Sequence, residues 1–328
     1  MSELQLARWC LVCACLLMAA FSAGALAQTP KARIAIVIDD LGYSQRRDAP
    51  FIELDGPVAL AFLPDGIYTP ALARAATAAG KPVMLHAPMQ ATRNVDFRPR
   101  CHGSLVRHAP MRLQTSFGTL LHGDFEVNPD PRQDPDVAFI PACEAQKLMR
   151  AELSVEHNEY EFLAVFAAQL ARVPGAIGVN NHEGSRLTQD ATAMRWLMNS
   201  LSERGDLFFL DSRTSARSIA FETAQESGIP ALKRDVFLDN VASYAAVNRR
   251  FDQLLRIAET HGQALAIGHP YRATIEVLKV RLRDLDRERF ELVSPVELLP
   301  KRQPQSLQAA VPRTSPDRPA RAAQSPHE

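Results

Sequence analysis

The sequence predicts an α/β fold in which seven to eight mostly parallel strands form a (β/α) barrel. Two observations carry this reading. Short, near-continuous apolar runs alternate with helices whose caps can be read from the residues, the pattern of parallel strands joined by right-handed helical crossovers. Polar residues able to do chemistry then fall at the carboxyl ends of nearly all those runs, and in a barrel such ends share one rim, where they converge. An open doubly wound sheet is the alternative. It would string the same residues along an edge, with a ligand site only near a switch point.

The elements follow in order. Arg33 to Ile38 is the first strand, apolar almost throughout, as a strand covered on both faces must be. A helix starts at Ser44. Pro57 to Leu63 is the second strand; Thr69 then caps a helix with Pro70 at its first position and Gly80 past its end. Lys81 to Leu85 is the third strand. From Gln90 to about Ser154 the rhythm fails, and scattered Arg, His, Pro and Asp read as an elaborated loop or lid inserted into the domain. Regularity returns with an amphipathic helix from Val155 to Arg172 and the fourth strand, Ala176 to Val179. A helix capped by Thr188 stops at Gly205, before the fifth strand, Leu207 to Leu210. Ser215 opens a helix that Gly228 closes. Val236 to Leu238, a helix from Ser243 to Gly262, Ala264 to Ile267, a helix from Ala273 to Arg287 and a last strand from Phe290 to Val293 complete a domain spanning about 28 to 300.

The two ends read differently. Arg8 precedes an apolar run from Trp9 to Ala27 that closes on Ala25-Leu26-Ala27, the small-x-small pattern of a signal-peptidase site, so residues 1–27 read as a signal peptide and the mature chain as periplasmic or secreted. An uncleaved membrane anchor is the alternative. Residues 301–328, rich in Pro, Arg, Ala, Gln and Ser, read as a disordered basic tail. Three of the five cysteines lie in the export segment, leaving Cys101 and Cys143. In an oxidising compartment they form either a disulfide, worth about 4 kcal/mol in the chain-entropy picture, or two free thiols.

Lys plus Arg and Asp plus Glu both number 37. The balance removes any electrostatic case for nucleic acid as a partner, so function has to be argued from the strand ends. Asp39-Asp40 places two carboxylates in one small volume, suited to one metal ligand and one general base. His86 and His182 close two further strands, and with a carboxylate they supply the N, N, O donors of a catalytic zinc-type site that leaves a position open. His108 repeats the His-Ala-Pro-Met of His86 to Met89 but follows no strand. His269 is placed to protonate a leaving group. Asp211 and Arg213 could orient or tune a catalytic group, or pair as a salt bridge at the rim. Asn180, Asn181 and Ser185 shape the rim or contact substrate, and Asp239 is a weaker candidate for the same role.

At these residues the sequence resembles the divergent polysaccharide deacetylase family, distant relatives of the NodB-type carbohydrate esterases. The stretches that carry the resemblance are Ile38-Asp39-Asp40-Leu41-Gly42, Leu85-His86-Ala87-Pro88-Met89, Gly178 to Ser185, Leu210 to Thr214, Asp235 to Asn240 and Ala266-Ile267-Gly268-His269-Pro270. The resemblance implies a distorted (β/α) barrel of the deacetylase type and a divalent metal, zinc first. It implies Asp40 as metal ligand with His86 and His182, Asp39 as base and His269 as acid. The NodB-type His-x-x-x-His pair is absent: position 90 is Gln, and His182 is the apparent substitute. Glu183 stands where the family pattern leads one to expect Met. The function implied is removal of N- or O-acetyl groups from a cell-envelope glycan. A catalytically silent glycan-binding or envelope-interaction protein on the same barrel is the alternative, and metal-dependent hydrolysis of peptide amides is a second enzymatic one.

Overall fold

Alternate residues of the first apolar run face opposite ways, because side chains on a strand have a period of two. Ile34, Ile36 and Ile38 pack with the helices in the larger core. Ala35 and Val37 pack in a second, smaller core with Ala59, Ala61, Met84, Leu210, Leu265 and Ile267. Among the described residues no α-helix contributes to the second core, so the sheet curls around it instead of carrying helices on both faces, and this is the barrel-type fold expected.

The structure is a computed structural model that describes residues 30–92 and 152–300. The expectations for the signal peptide, for Cys101 and Cys143, for His108 and for the tail lie outside the described residues, as does most of the 90–154 segment. The chain runs β1 (Ala32–Leu41), α1 (Gln45–Ile52), β2 (Ala59–Phe62), α2 (Thr69–Ala78), β3 (Val83–Met89), α3 (Glu159–Ala171), β4 (Ala176–Glu183), α4 (Ala191–Arg204) and β5 (Phe208–Asp211). It continues through α5 (Ala220–Glu226), β6 (Ala231–Lys233), β7 (Val236–Phe237), α6 (Tyr244–His261), β8 (Gln263–Gly268), α7 (Arg272–Arg283) and β9 (Phe290–Leu292).

The sheet order is β6-β5-β4-β3-β2-β1-β8-β7, with β9 paired to β1 off this path. Every ladder among the described residues is parallel. One edge of β1 is shared: β9 pairs with Ala32 to Ile34, while β2 takes the far end, from Val37 to Leu41. Inside the curl, Gly178 of β4 leaves room for the ring of Phe208, which a Cβ at that position would meet at 2.4 Å.

Several boundaries differ from the sequence reading. β1, β3 and β4 run on past their apolar residues to Leu41, Met89 and Glu183, because β3 and β4 keep pairing from His86↔Asn180 to Met89↔Glu183. β6 carries no periodic signal, being only Ala231–Lys233. Thr69 is the first helical residue of α2 and not its cap; its hydroxyl donates to the Leu63 carbonyl at 2.5 Å. Asp190, not Thr188, caps α4 by accepting from Thr192 N and Ala193 N. Asn158 starts α3 through a reciprocal capping box with Glu161, later than expected. Ser215 lies in a turn, and α5 begins only at Ala220. The Ser44 and Ser243 caps stand as read.

Candidate metal centre and cleft

The alternation that builds the second core also aims the chemistry. Continuing it places Asp39 beyond Val37 on β1, His86 beyond Met84 on β3, Asn180 and His182 beyond Gly178 on β4, and His269 beyond Ile267 after β8, all facing inward. Asp40 has the opposite parity. Its carboxylate nevertheless meets the two histidines, because the β1–β2 register shifts between Ile38 and Leu41 and Asp40 adopts φ 58°. Left-handed backbone at a non-glycine residue costs about 1–3 kcal/mol. The loop that follows compensates: Arg47 Nη2 donates to the Asp40 carbonyl at 2.9 Å, and the buried Asp48 carboxylate accepts from Gly42 N, Ser44 N and Arg47 Nε. Glu183, at the end of β4 on the cleft, and Arg213, two residues past β5, are the other two described non-glycine residues with positive φ.

Asp40 Oδ1 lies 3.0 Å from His182 Nδ1 and 3.2 Å from His86 Nε2, and those two nitrogens are 3.1 Å apart. Oδ1 is buried between the two rings. Burial opposes ionisation of Asp40, but the neighbouring rings of His182 and His86 outweigh it and hold the carboxyl far below the usual range. Burial also works against a charged His182, and Asp40 more than offsets it, so His182 is raised. An ionised oxygen and two ring nitrogens gathered this tightly fit a cation: bonds of about 2.0–2.1 Å in a tetrahedral site space their donors by about 3.4 Å. Asp40, His86 and His182 form the one group of potential metal-ligating side chains of this kind among the described residues. The position four residues after His86 is filled by buried Gln90, whose side chain accepts from Val155 N and points to no ligand role.

Asn180 organises the floor. It is fully buried, and its amide nitrogen donates to Asp39 Oδ1 at 2.9 Å, to Asp39 Oδ2 at 3.0 Å and to Ser212 Oγ at 3.1 Å. Its amide oxygen is 3.1 Å from His86 Nδ1. With that nitrogen as the donor, His86 keeps its Nε2 lone pair for the metal position, an outer-shell device common to ligating histidines. Burial pushes the Asp39 carboxyl above its ordinary value, against the pull of His86, His269 and the Asn180 amide. Across the cleft, His269 Nδ1 is 2.8 Å from Asp239 Oδ1, leaving Nε2 toward the site, 4.0 Å from Asp40 Oδ2. Burial disfavours the imidazolium, yet Asp239 and the nearby aspartates raise the His269 pKa. Asp239 is itself saturated, its Oδ2 accepting from His269 N and from Thr274 Oγ1.

The cleft above these groups has a volume of about 500 Å³ and two unlike walls. Thr92, Asn181, Ser185, Ser212 and Thr214 give it hydroxyls and an amide on the β3–β5 side; Phe237 and Ile267 make the β7–β8 side apolar. Ser185 Oγ accepts from Thr92 N at 2.9 Å. Asn181 ties the end of β5 to β4, its oxygen accepting from Ser212 N and its nitrogen donating to the Glu183 carbonyl.

The fold thus brings together Asp39, Asp40, His86, His182 and His269, with Asn181 and Ser185 on the wall. It does not bring Asp211, Arg213, Asn180 or Asp239 to the wall. Asp211 is buried and spent on Arg213 N and Ser218 Oγ, so the two residues meet through a turn and not through a salt bridge. Asn180 and Asp239 stand behind Asp39 and His269 and not against a substrate. Ser212, Thr92, Thr214 and Phe237 are additions that the residue types alone did not signal, since single Ser, Thr and Phe residues occur throughout the chain.

Residues 36–120 and 141–299 match the profile of the family described as divergent polysaccharide deacetylase. An uncharacterised protein of Haemophilus influenzae is 31% identical over 258 residues, covering 79% of this chain and 74% of its own length. The uncharacterised protein YibQ of Escherichia coli is 29% identical over 253 residues, 77% of this chain and 63% of its own length. In three dimensions, the crystal structure of the uncharacterised protein ATU2773 from Agrobacterium tumefaciens C58 superposes with a TM-score of 0.61 at 22% identity, covering 81% of this chain and 88% of that one. That likeness is one of fold. Taken with the profile match over most of the chain, the strand-end residues and the curled parallel sheet, it leads to one conclusion: the chain belongs to the divergent polysaccharide deacetylase family.

Proposed function

We propose that this protein is an exported, metal-dependent hydrolase that removes N- or O-acetyl groups from a cell-envelope glycan. The observation that carries the reading is the placing of three kinds of group on one cleft: the Asp40–His86–His182 donor triangle, the buried base Asp39, and the Asp239-paired His269. Export is supported by the Ala25-Leu26-Ala27 pattern after the apolar run.

Asp40, His86 and His182 would hold the cation, and the two nitrogen donors with one oxygen favour zinc. When bound, such an ion supplies Lewis acidity to a carbonyl oxygen and eases loss of a proton from water. Asp39 takes the proton of the attacking water on its carboxylate, and its raised pKa makes it a stronger base than an ordinary aspartate. Asn180 keeps that carboxylate facing the cleft. His269 carries a proton on Nε2, favoured by Asp239, and delivers it to the departing amine or alkoxide as the carbon–heteroatom bond breaks. Thr92, Ser185, Thr214 and Asn181 offer donors and acceptors to sugar hydroxyls, opposite an apolar wall that suits a sugar's C–H face or an acetyl methyl.

Acetate release from N-acetylated glycans by purified protein tests the reading, with Asp39→Asn expected to abolish it while retaining metal. Release unchanged in that variant refutes the assignment. A protein that binds glycan and metal but releases no acetate is the catalytically silent alternative.

A further inference from the structure

β6 and β7 follow one another in sequence, separated by Arg234 and Asp235, yet they stand at opposite ends of the sheet order. Among the described residues no ladder joins them. The dipeptide spans this seam with its own groups. Toward β5, Arg234 N donates to the Asp211 carbonyl at 3.0 Å, Nε to the Ser212 carbonyl at 2.7 Å and Nη2 to the Arg213 carbonyl at 3.0 Å. Toward β8, Asp235 N donates to the Leu265 carbonyl at 2.9 Å, and Asp235 Oδ2 accepts from Leu265 N at 2.8 Å.

The guanidinium also faces the other side of the cleft. Its carbon lies 4.8 Å from the centre of the Phe237 ring, and that ring stacks on the His269 imidazole at 5.0 Å with 26° between planes. On the β5 side, Ser212 Oγ accepts from Asn180, the residue that holds Asp39. One half-buried side chain therefore touches both the segment behind Asp39 and the ring behind His269. We propose that Arg234 is a positioning residue that fixes the distance between the base and the acid across the open seam of the barrel. The proposal rests on the reading of Asp39 and His269 as base and acid. Arginine is the suitable residue because its planar fork can bond two successive carbonyls while its face lies on an aromatic ring, which a lysine ammonium cannot do.

The test compares ¹³C,¹⁵N-histidine-labelled wild type, Arg234→Met and Arg289→Met, the last removing an exposed arginine that lies over Phe290. The His269 ring resonances move in Arg234→Met and not in Arg289→Met, at unchanged metal content. In the acetate assay kcat falls about 10- to 100-fold with KM within about threefold, the signature of a misplaced group, and Arg234→Lys is intermediate. A folded Arg234→Met whose His269 resonances coincide with wild type overturns the proposal, even if its thermal stability is lower, since Arg234 is then a clasp alone. If Arg234→Met does not fold, Arg234→Lys takes its place in the same comparison. Were the wild type to release no acetate, the catalytic reading would fail separately, and the histidine resonances would still decide whether Arg234 positions His269.

Discussion

Asn180 holds both oxygens of Asp39, at 2.9 and 3.0 Å, through one buried amide nitrogen. Its amide oxygen serves His86 at the same time, so the proposed base and a proposed metal ligand share a support. Truncation in Asn180→Ala removes the acceptor that orders His86, and outer-shell losses of this kind cost about 10- to 100-fold in metal affinity. Competition with a chromogenic chelator should read that weakening. Asn180→Ala with wild-type affinity would show that His86 needs no such orientation.

The three donors should be separately necessary. His182→Ala leaves two donors where three converge, and the purified variant should lose its bound metal, while His269→Ala, outside the triangle, should keep it. Metal analysis after dialysis distinguishes the two. Retention of metal by His182→Ala would move the centre elsewhere.

Stability of the metal-free protein should depend on His269. Its folded pKa lies above 6.5 because Asp239 outweighs the burial that opposes its charge. A raised histidine contributes stability that is fully present below the unfolded value and is lost as pH rises through the folded one. The unfolding midpoint of the chelator-treated protein should therefore fall as pH is raised above about 6.5. His269→Gln should flatten that part of the curve in thermal melts taken across the pH range.

Asp48 should matter more to stability than its place outside the cleft implies. The carboxylate is 1% exposed and accepts from two backbone N–H groups and Arg47, and Asp48→Ala leaves the buried Gly42 N–H without its partner. A loss of about 2 kcal/mol is expected from chemical denaturation. Because Arg47 also supports the Asp40 carbonyl, metal affinity should fall with it.

The sheet and most of the candidate site were legible because the apolar run is near-continuous over Arg33 to Ile38 and because His86, His182 and His269 belong to chemically distinctive types. What was not legible has a physical reason in each case. Hydropathy marks the end of β1, β3 and β4 at the last apolar residue, but those strands continue wherever their inner face changes from core to site. The inward turn of Asp40 depends on a backbone angle and a register shift with no residue-type signature. Asn180, expected at the rim, sits beneath it because period two places it on the inner face with His182, one level deeper. β6 is three residues long and sets no period, and without it the seam that Arg234 spans cannot be foreseen.

The shortness of β2 has a consequence for how the protein is held together. β2 ends at Phe62, opposite Leu85, so His86 is the first residue of β3 to rise above it and can meet Asp40 of β1 across the notch. A cation in that notch would join two strands that exchange no ladder hydrogen bonds with each other, and His182 would add a third strand to the same knot. It would act as a reversible cross-link between segments far apart in the chain, one that exists only once all three strands are in register. Occupancy of the centre would then report completion of the sheet, and chelation would loosen the barrel first at the end that carries the cleft.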